Sequence, residues 1–340
     1  MKFISKSNFA LAVVLTLTLF IVLTGCDTGV VDDVVNDDDP NDLTEAETIN
    51  TFESEDENYI WSLDFSADDS QLIAGGDKNI KIRDLETGDI DFEFTEHTET
   101  TNQVAYSSDS TKIVSCAGDL GGGEGIVWNS ETGEIISSFE YDGALTSVTF
   151  SPDDSLIAFS GGYNNNAVTI VEADTGDEIK VFSENVRMTD AKFTSDGEKI
   201  IAGTEDDRVL IWEYDTGELI DQFTEHTGEV YTIDISSDDS KIVSGGLRGD
   251  IMIWDLETGN ILNTYDGHDG IIEAVLFSAD DSNIISGSRD NTVKIWDAET
   301  GQTIVDYREH EGNIRSIASS SDDRIIASGD QEGIINVWKW

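Results

Sequence analysis

From about residue 48 to the end, apolar runs of five or six residues recur between short polar stretches. The runs alternate apolar and polar, as in "LTSVTF" (145–150), "VYTIDI" (230–235) and "IEAVLF" (272–277). A period of two is the signature of a half-buried strand. Each such run leads into a polar turn, "SPDDS" (151–155) or "SADDS" (278–282), where Asp and Ser bond their own backbone. A second apolar run follows, such as "KIVSGG" (241–246), and then a third that carries a marker residue. An "ETG" or "DTG" turn leads to a fourth, such as "TIVDY" (303–307). The pattern predicts four short strands per unit, and no stretch of this region sustains a helical period.

The marker column reads Arg83, Trp128, Val171, Trp212, Trp254, Trp296 and Trp338, with spacings of 45, 43, 41, 42, 42 and 42 residues. A four-stranded unit repeated with a period in the 40s is the mark of a propeller blade. With its Trp-Asp endings, as in "VKIWDAETG" (293–301), the chain resembles the WD40 repeat family over about 290 residues. The resemblance implies an all-β, seven-bladed propeller. The last copy stops at Trp340, after its third strand, whereas "TINTFE" (48–53) has the form of a fourth strand lacking the other three. In the family the N-terminal strand completes the C-terminal blade, which removes the unpaired sheet edge.

The four histidines, His97, His226, His268 and His310, all follow Glu or Gly where one unit passes to the next. In the family this His joins a hydrogen-bonded structural tetrad with a Ser or Thr, an Asp and the marker Trp. One unit matches in full: His268, Ser286, Asp290 and Trp296. Elsewhere the match breaks. Arg248 and Glu332 stand where the Asp is expected in the fifth and seventh units, and the third and fourth have no His, although Asp77 and Asp206 keep the Asp column in the first and fourth.

The first 47 residues are of another kind. Lys2 and Lys6 precede an apolar run, Phe9–Leu23, broken only by Thr16 and Thr18, and no acid occurs before residue 27. That is a secretory signal, short for a membrane span. "LTGC" (23–26) resembles the lipobox of bacterial lipoproteins, which implies cleavage after residue 25 and acylation of Cys26. Two or more acyl chains anchor stably where one does not. The organisation expected is a signal peptide at 1–25, a lipidated acidic tether at 26–47 and the propeller at 48–340. The product is an exported, membrane-anchored lipoprotein, periplasmic or at the cell surface. The tether "DTGVVDDVVNDDDPNDLTEAE" (27–47) holds nine acids and no base. Such a segment stays extended, and it lacks the Gly and final Glu of an EF-hand. Asp27 resembles the residue that retains some enterobacterial lipoproteins in the inner membrane, a rule that does not transfer across bacterial groups.

Charge narrows the partners. Acids number 71 and bases 19, for a net charge of −52. This excludes nucleic acid, which needs clustered Lys and Arg. Acid is spread over every unit, while hydrophobic residues at 38% together with 30 Gly make an ordinary globular total. The reading is a folded body adapted to high salt, with a basic partner or divalent cations as the alternative origin of its acidity.

The chemistry of catalysis is thin. Each His has a structural role, no metal-ligand spacing remains, and no cofactor is implied. The other cysteine, Cys116 in "KIVSCAGD" (112–119), reads as a small core residue. Paired turn acids such as Asp68–Asp69 and Asp280–Asp281 read as turn and solubility features, and "RGD" (248–250) as coincidence inside a repeat. Two irregular stretches, "DLGGGEG" (119–125) and "GGYNNNA" (161–167), are candidate contact loops. By the resemblance, Glu205, Leu247, Arg289 and Gln331 lie on the rim used for protein binding. The function expected is a non-enzymatic protein-binding scaffold, a monomeric propeller with an unidentified protein partner. The alternatives are an exported propeller enzyme of lactonase or dehydrogenase type, or a ligand- or ion-binding propeller.

Overall fold

The computed structural model describes residues 45–53, 59–77, 79–119, 121–161 and 166–340. The signal segment, Cys26, Asp27 and nearly all of the tether lie outside the described residues, as do 162–165 of the Asn-rich stretch.

Strands β1 (Glu47–Glu53) to β28 (Ile334–Lys339) form seven four-stranded antiparallel sheets, and no helix occurs among the described residues. Six sheets are consecutive hairpins. The seventh is ordered β1, β28, β27 (Ile325–Asp330), β26 (Ile314–Ser319), so the first strand of the chain completes the last blade. The pairing sets Phe52 opposite Ile335 and Thr51 opposite Asn336. The first strands of the blades touch in a closed cycle, from β2 (Ser62–Phe65) around to β26 and back to β2. The protein is a seven-bladed β-propeller.

Burial explains the strand sequences. Third strands lie between neighbouring sheets and are covered on both faces, so they read as unbroken apolar runs. In β24 (Val293–Asp297) four successive residues are buried. Fourth strands face solvent, and in β17 (Leu219–Phe223) only Phe223 is buried. That one aromatic serves the next blade. Trp254 stacks on Phe223 at 5.1 Å, Trp296 on Tyr265 at 5.5 Å and Trp338 on Tyr307 at 4.5 Å between ring centroids. Each such pair adds about 0.5–1.5 kcal/mol beyond the area it buries. The first blade has Arg83 in the marker column, and its guanidinium lies 5.3 Å over Phe52 of β1. A cation on an aromatic face thus replaces the Trp stack at the seam where the ring closes.

The paired turn acids do two different things. The first acid closes its own turn: Asp238 accepts from the Ser236 hydroxyl at 2.9 Å and the Ser240 amide at 2.9 Å. Bonds from the Ser240 hydroxyl and amide and the Ser236 hydroxyl lower this carboxyl to about 2. The second acid has a left-handed backbone, with φ of 56–59° at Asp69, Asp154, Asp239, Asp281 and Asp323. It reaches to the preceding blade. Asp69 accepts from the Ser321 amide and hydroxyl (2.9 and 2.6 Å), and Asp239 and Asp281 accept likewise from Ser195 and Ser237. The second acid is therefore an inter-blade staple, a role its repetition did not disclose.

The seam between the third and fourth blades departs from this scheme. Pro152 stands at the donor position and has no N–H, and Gly197 (φ 70°) stands at the acceptor position and has no carboxylate. Replacing Pro152 by Ser together with Gly197 by Asp is expected to install the missing staple. In a double-mutant cycle read by denaturant unfolding, the pair should show favourable coupling of roughly 0.5–1 kcal/mol. Zero coupling would mean that this seam cannot accept the bond.

Candidate functional site

All four histidines are buried. The expected set forms one network: His268 Nε2 is 2.8 Å from Ser286 Oγ, His268 Nδ1 is 2.9 Å from Asp290, and Trp296 Nε1 donates to Ser286 at 2.8 Å. Burial opposes ionisation of Asp290, but bonds from His268 and Thr292 hold its carboxyl well below the usual range.

The same network occurs where the column showed gaps. In the fifth blade His226 meets Ser244 at 2.7 Å and Asp250 at 3.2 Å, and Trp254 donates to Ser244 at 2.7 Å. In the seventh His310 meets Ser328 at 2.7 Å and Asp330 at 2.9 Å, and Trp338 donates to Ser328 at 3.3 Å. In the second His97 meets Ser115 at 2.7 Å, and Glu124 lies 3.2 Å from its other nitrogen. The gaps at Arg248 and Glu332 are corrected accordingly. The carboxylate enters from the third strand (Glu124, Asp250), the turn before it (Asp290) or the end of the second strand (Asp330), so a fixed column cannot find it. Burial pushes His97 below the usual imidazole range, with Glu124 partly offsetting it. None of the four imidazoles lines the central channel.

Changing Ser286 to Ala removes the hydroxyl that serves both His268 and Trp296 and leaves two buried groups unpaired. The expected loss is roughly 2–3 kcal/mol in denaturant unfolding. A loss below about 0.5 kcal/mol would mean that the hydroxyl is not the hub.

Other sequence candidates resolve in the same way. Asp250 of the Arg-Gly-Asp stretch is committed to His226. Cys116 is buried, and burial pushes its thiol up to about 12, which leaves it unreactive. The Gly-rich stretch 119–125 is strand rather than loop over most of its length, because β7 (Lys112–Asp119) and β8 (Gly122–Asn129) continue as a hairpin. Gly125 is required there, since a Cβ would stand 1.9 Å from the Phe139 ring.

The channel encloses about 910 Å³. Among its lining residues, Asp64, Asp190 and Asp234 act electrostatically on Lys192. Burial pushes Asp64 up to about 6 and raises Asp234, while the three carboxylates hold Lys192 above its usual range against its own burial. Each acid also accepts a backbone N–H of the next first strand, from Tyr106, Ile233 and Phe277 at 2.8, 3.0 and 2.9 Å. These acids are bound into the ring.

The face where the first strands begin carries Glu205, Leu247, Arg289 and Gln331 at equivalent positions. The amide of each bonds the carbonyl just before its blade's first strand: Arg187, Glu229, Ile271 and Asn313. Only Arg289 turns into the channel mouth, where its Nε contacts Glu273. Arg315 donates to the same Glu273 at 2.9 Å, and Arg187 bridges Glu205 and Glu229. Leu247 stays 40% exposed, and Gln331 accepts from Asn313. The mouth residues Tyr231, Glu273 and Arg315 occupy one column, 42 residues apart, at the start of successive first strands. Their variation within a regular repeat was the available signal.

The WD domain, G-beta repeat profile matches residues 46–84, 133–168, 217–255, 259–297 and 301–339. The chain belongs to the WD40 repeat family. Each WD40 match of full length runs from an outer strand through the third strand of the next blade, so the repeat unit is staggered against the blade. The unmatched stretches 85–132 and 169–216 form the same sheets. Among curated proteins, the serine-threonine kinase receptor-associated protein of Gallus gallus is 24% identical over 179 residues, which is 52% of this chain and 49% of that protein. Its counterpart in Dictyostelium discoideum is 27% identical over 178 residues, 52% and 59% of the two chains. The cilia- and flagella-associated protein 52 of Chlamydomonas reinhardtii is 24% identical over 150 residues, 42% and 22%. The matches to the receptor-associated proteins span about half the length of those relatives.

Proposed function

We propose that this protein is an exported, lipid-anchored WD40 scaffold that holds a protein partner without catalysing a reaction. The observation that supports a binding role most is the disposition of its chemistry. The imidazoles are spent in blade networks and the channel acids in inter-blade bonds, whereas Leu247 and Arg289 remain accessible on one face. Propellers serve many functions, so the reading rests on this face rather than on the fold. Anchoring rests on the sequence around Cys26, and replacing Cys26 by Ser should move the protein from the membrane fraction to the soluble fraction.

Purification from native membranes, at native salt and after brief crosslinking, tests the scaffold. A stoichiometric protein partner is expected. Recovery of the propeller alone, with the crosslinker active, would contradict the reading and turn attention to a substrate or ion in the channel.

A further inference from the structure

In a chain of 71 acids and 19 bases, three arginines, Arg187, Arg289 and Arg315, gather around one half of the channel mouth. Their charges are not evenly matched. Arg187 has two carboxylates, Glu205 and Glu229, whereas Arg289 and Arg315 share Glu273 between them. The mouth as a whole, three arginines and three glutamates, is neutral, but at the shared site two guanidiniums face one carboxylate. The two guanidiniums are held on aromatic faces, Arg289 at 5.7 Å over Tyr231 and Arg315 at 4.9 Å over Trp61, which is itself stacked on Tyr59. Such stacking fixes the fork before any ligand arrives.

Hydrogen bonding points the same way. Trp61 Nε1 and Arg315 Nε are buried and have no acceptor among the described residues. Both residues line the channel, and Arg289 keeps a third of its side chain exposed beside them. Buried donors without acceptors are uncommon and costly. Here two of them adjoin a pair of guanidiniums that share a single carboxylate, in a protein otherwise crowded with acceptors. The missing group is an acceptor with a single negative charge. A phosphate dianion would overshoot the difference at the shared site and stand against Glu229 and Glu273.

We propose that the Arg289–Arg315–Trp61 corner of the mouth binds a carboxylate carried by the protein partner. This rests on the scaffold reading above. The net charge of −52 repels an acidic segment at long range, and about 1 M salt shortens that repulsion to roughly 3 Å while leaving a desolvated Arg–carboxylate contact largely intact. The site is therefore suited to work in concentrated salt.

The test uses the full chain with ¹⁵N-labelled tryptophan at constant high ionic strength, the Trp61 indole signal being assigned with Trp61→Phe. Propionate is the probe and propionamide its neutral control. Propionate should shift the Trp61 signal saturably in the millimolar range and leave the other indoles in place. Propionamide should act at least about tenfold more weakly, and Arg289→Gln should weaken propionate by about tenfold, as for one lost charge-assisted bond. No shift by about 100 mM propionate, roughly a hundredfold past millimolar affinity, or an equal shift by propionamide, overturns the site.

The crosslinked purification separates the two claims. Loss of the partner in Arg289→Gln supports the carboxylate contact. If propionate binds but the partner survives both Arg289→Gln and Arg315→Gln, the site serves a free carboxylic acid and its assignment to the partner is overturned. If the wild-type protein captures no partner, the scaffold reading and that assignment fail together, while the carboxylate site stands or falls on propionate.

Discussion

Deleting Thr48–Glu53 is expected to abolish cooperative folding of the entire ring, not of one blade. The segment supplies most of β1, whose backbone pairs along β28 and whose Phe52 is buried against the first and last blades. The backbone bonds contribute about 0.5–1.5 kcal/mol each, and burial of Phe52 about 1.5–3 kcal/mol. With several bonds lost, the total is comparable to the roughly 5–15 kcal/mol that holds a typical domain folded. The deletion also removes the ring under Arg83 and the bond from Thr51 to Asn336 (2.9 Å), and it bares the edge of β28 beside Trp338. Because the first strands form a closed cycle, the loss is transmitted to both neighbours. Near-UV circular dichroism and size-exclusion chromatography should show lost tertiary packing and association. A single melting transition at an unchanged temperature would show that the seam does not hold the ring together.

The second large effect is expected from salt. The net charge of −52 is spread over every blade, and one face carries a turn acid or acid pair from each. At 0.1 M salt the Debye length of about 10 Å lets neighbouring turns repel, and at 1 M it falls to about 3 Å. Few cations offset them, and pairs such as Arg324–Asp322 are highly exposed and contribute little. Relief of a few kcal/mol corresponds to a melting temperature higher by roughly 10 °C between 0.1 and 2 M NaCl, with KCl equivalent. A flat or falling melting temperature would remove the salt-adaptation reading.

Mild acid should act in the same direction at low salt. Asp64, pushed up to about 6 by burial, is harder to ionise in the folded protein than in the unfolded chain. Its penalty is present above pH 6 and is relieved as pH falls through 6 toward the unfolded value of about 4. Below about pH 4 the turn carboxyls with lowered pKa, Asp238 among them, lose their stabilising contribution instead.

The architecture was legible because it is periodic. A marker residue every 41 to 45 positions, a strand pattern of period two and an orphan fourth strand at 48–53 define a closed ring before any coordinate is known. The networks were half legible. Ser and Trp keep fixed places on strands, but the acid needs only to bring a carboxylate to one point, and Asp250, Asp290 and Asp330 do so from different places in the blade. The second turn acid was hidden because its partner lies in the preceding blade, 252 residues away for Asp69 and Ser321. The channel mouth was hidden for the same reason. Of its residues only Arg289 was singled out, while Tyr231, Glu273 and Arg315 meet only when the blades stand side by side.

The proposed scaffold holds its partner on one face of the propeller. The decisive measurement places a photocrosslinking residue at Leu247, on the face where the first strands begin, or at Thr216, in an exposed turn of the opposite face, and irradiates native membranes. A discrete protein adduct is expected from Leu247 and none from Thr216. No adduct from either position, or an adduct from Thr216 alone, would contradict the proposal.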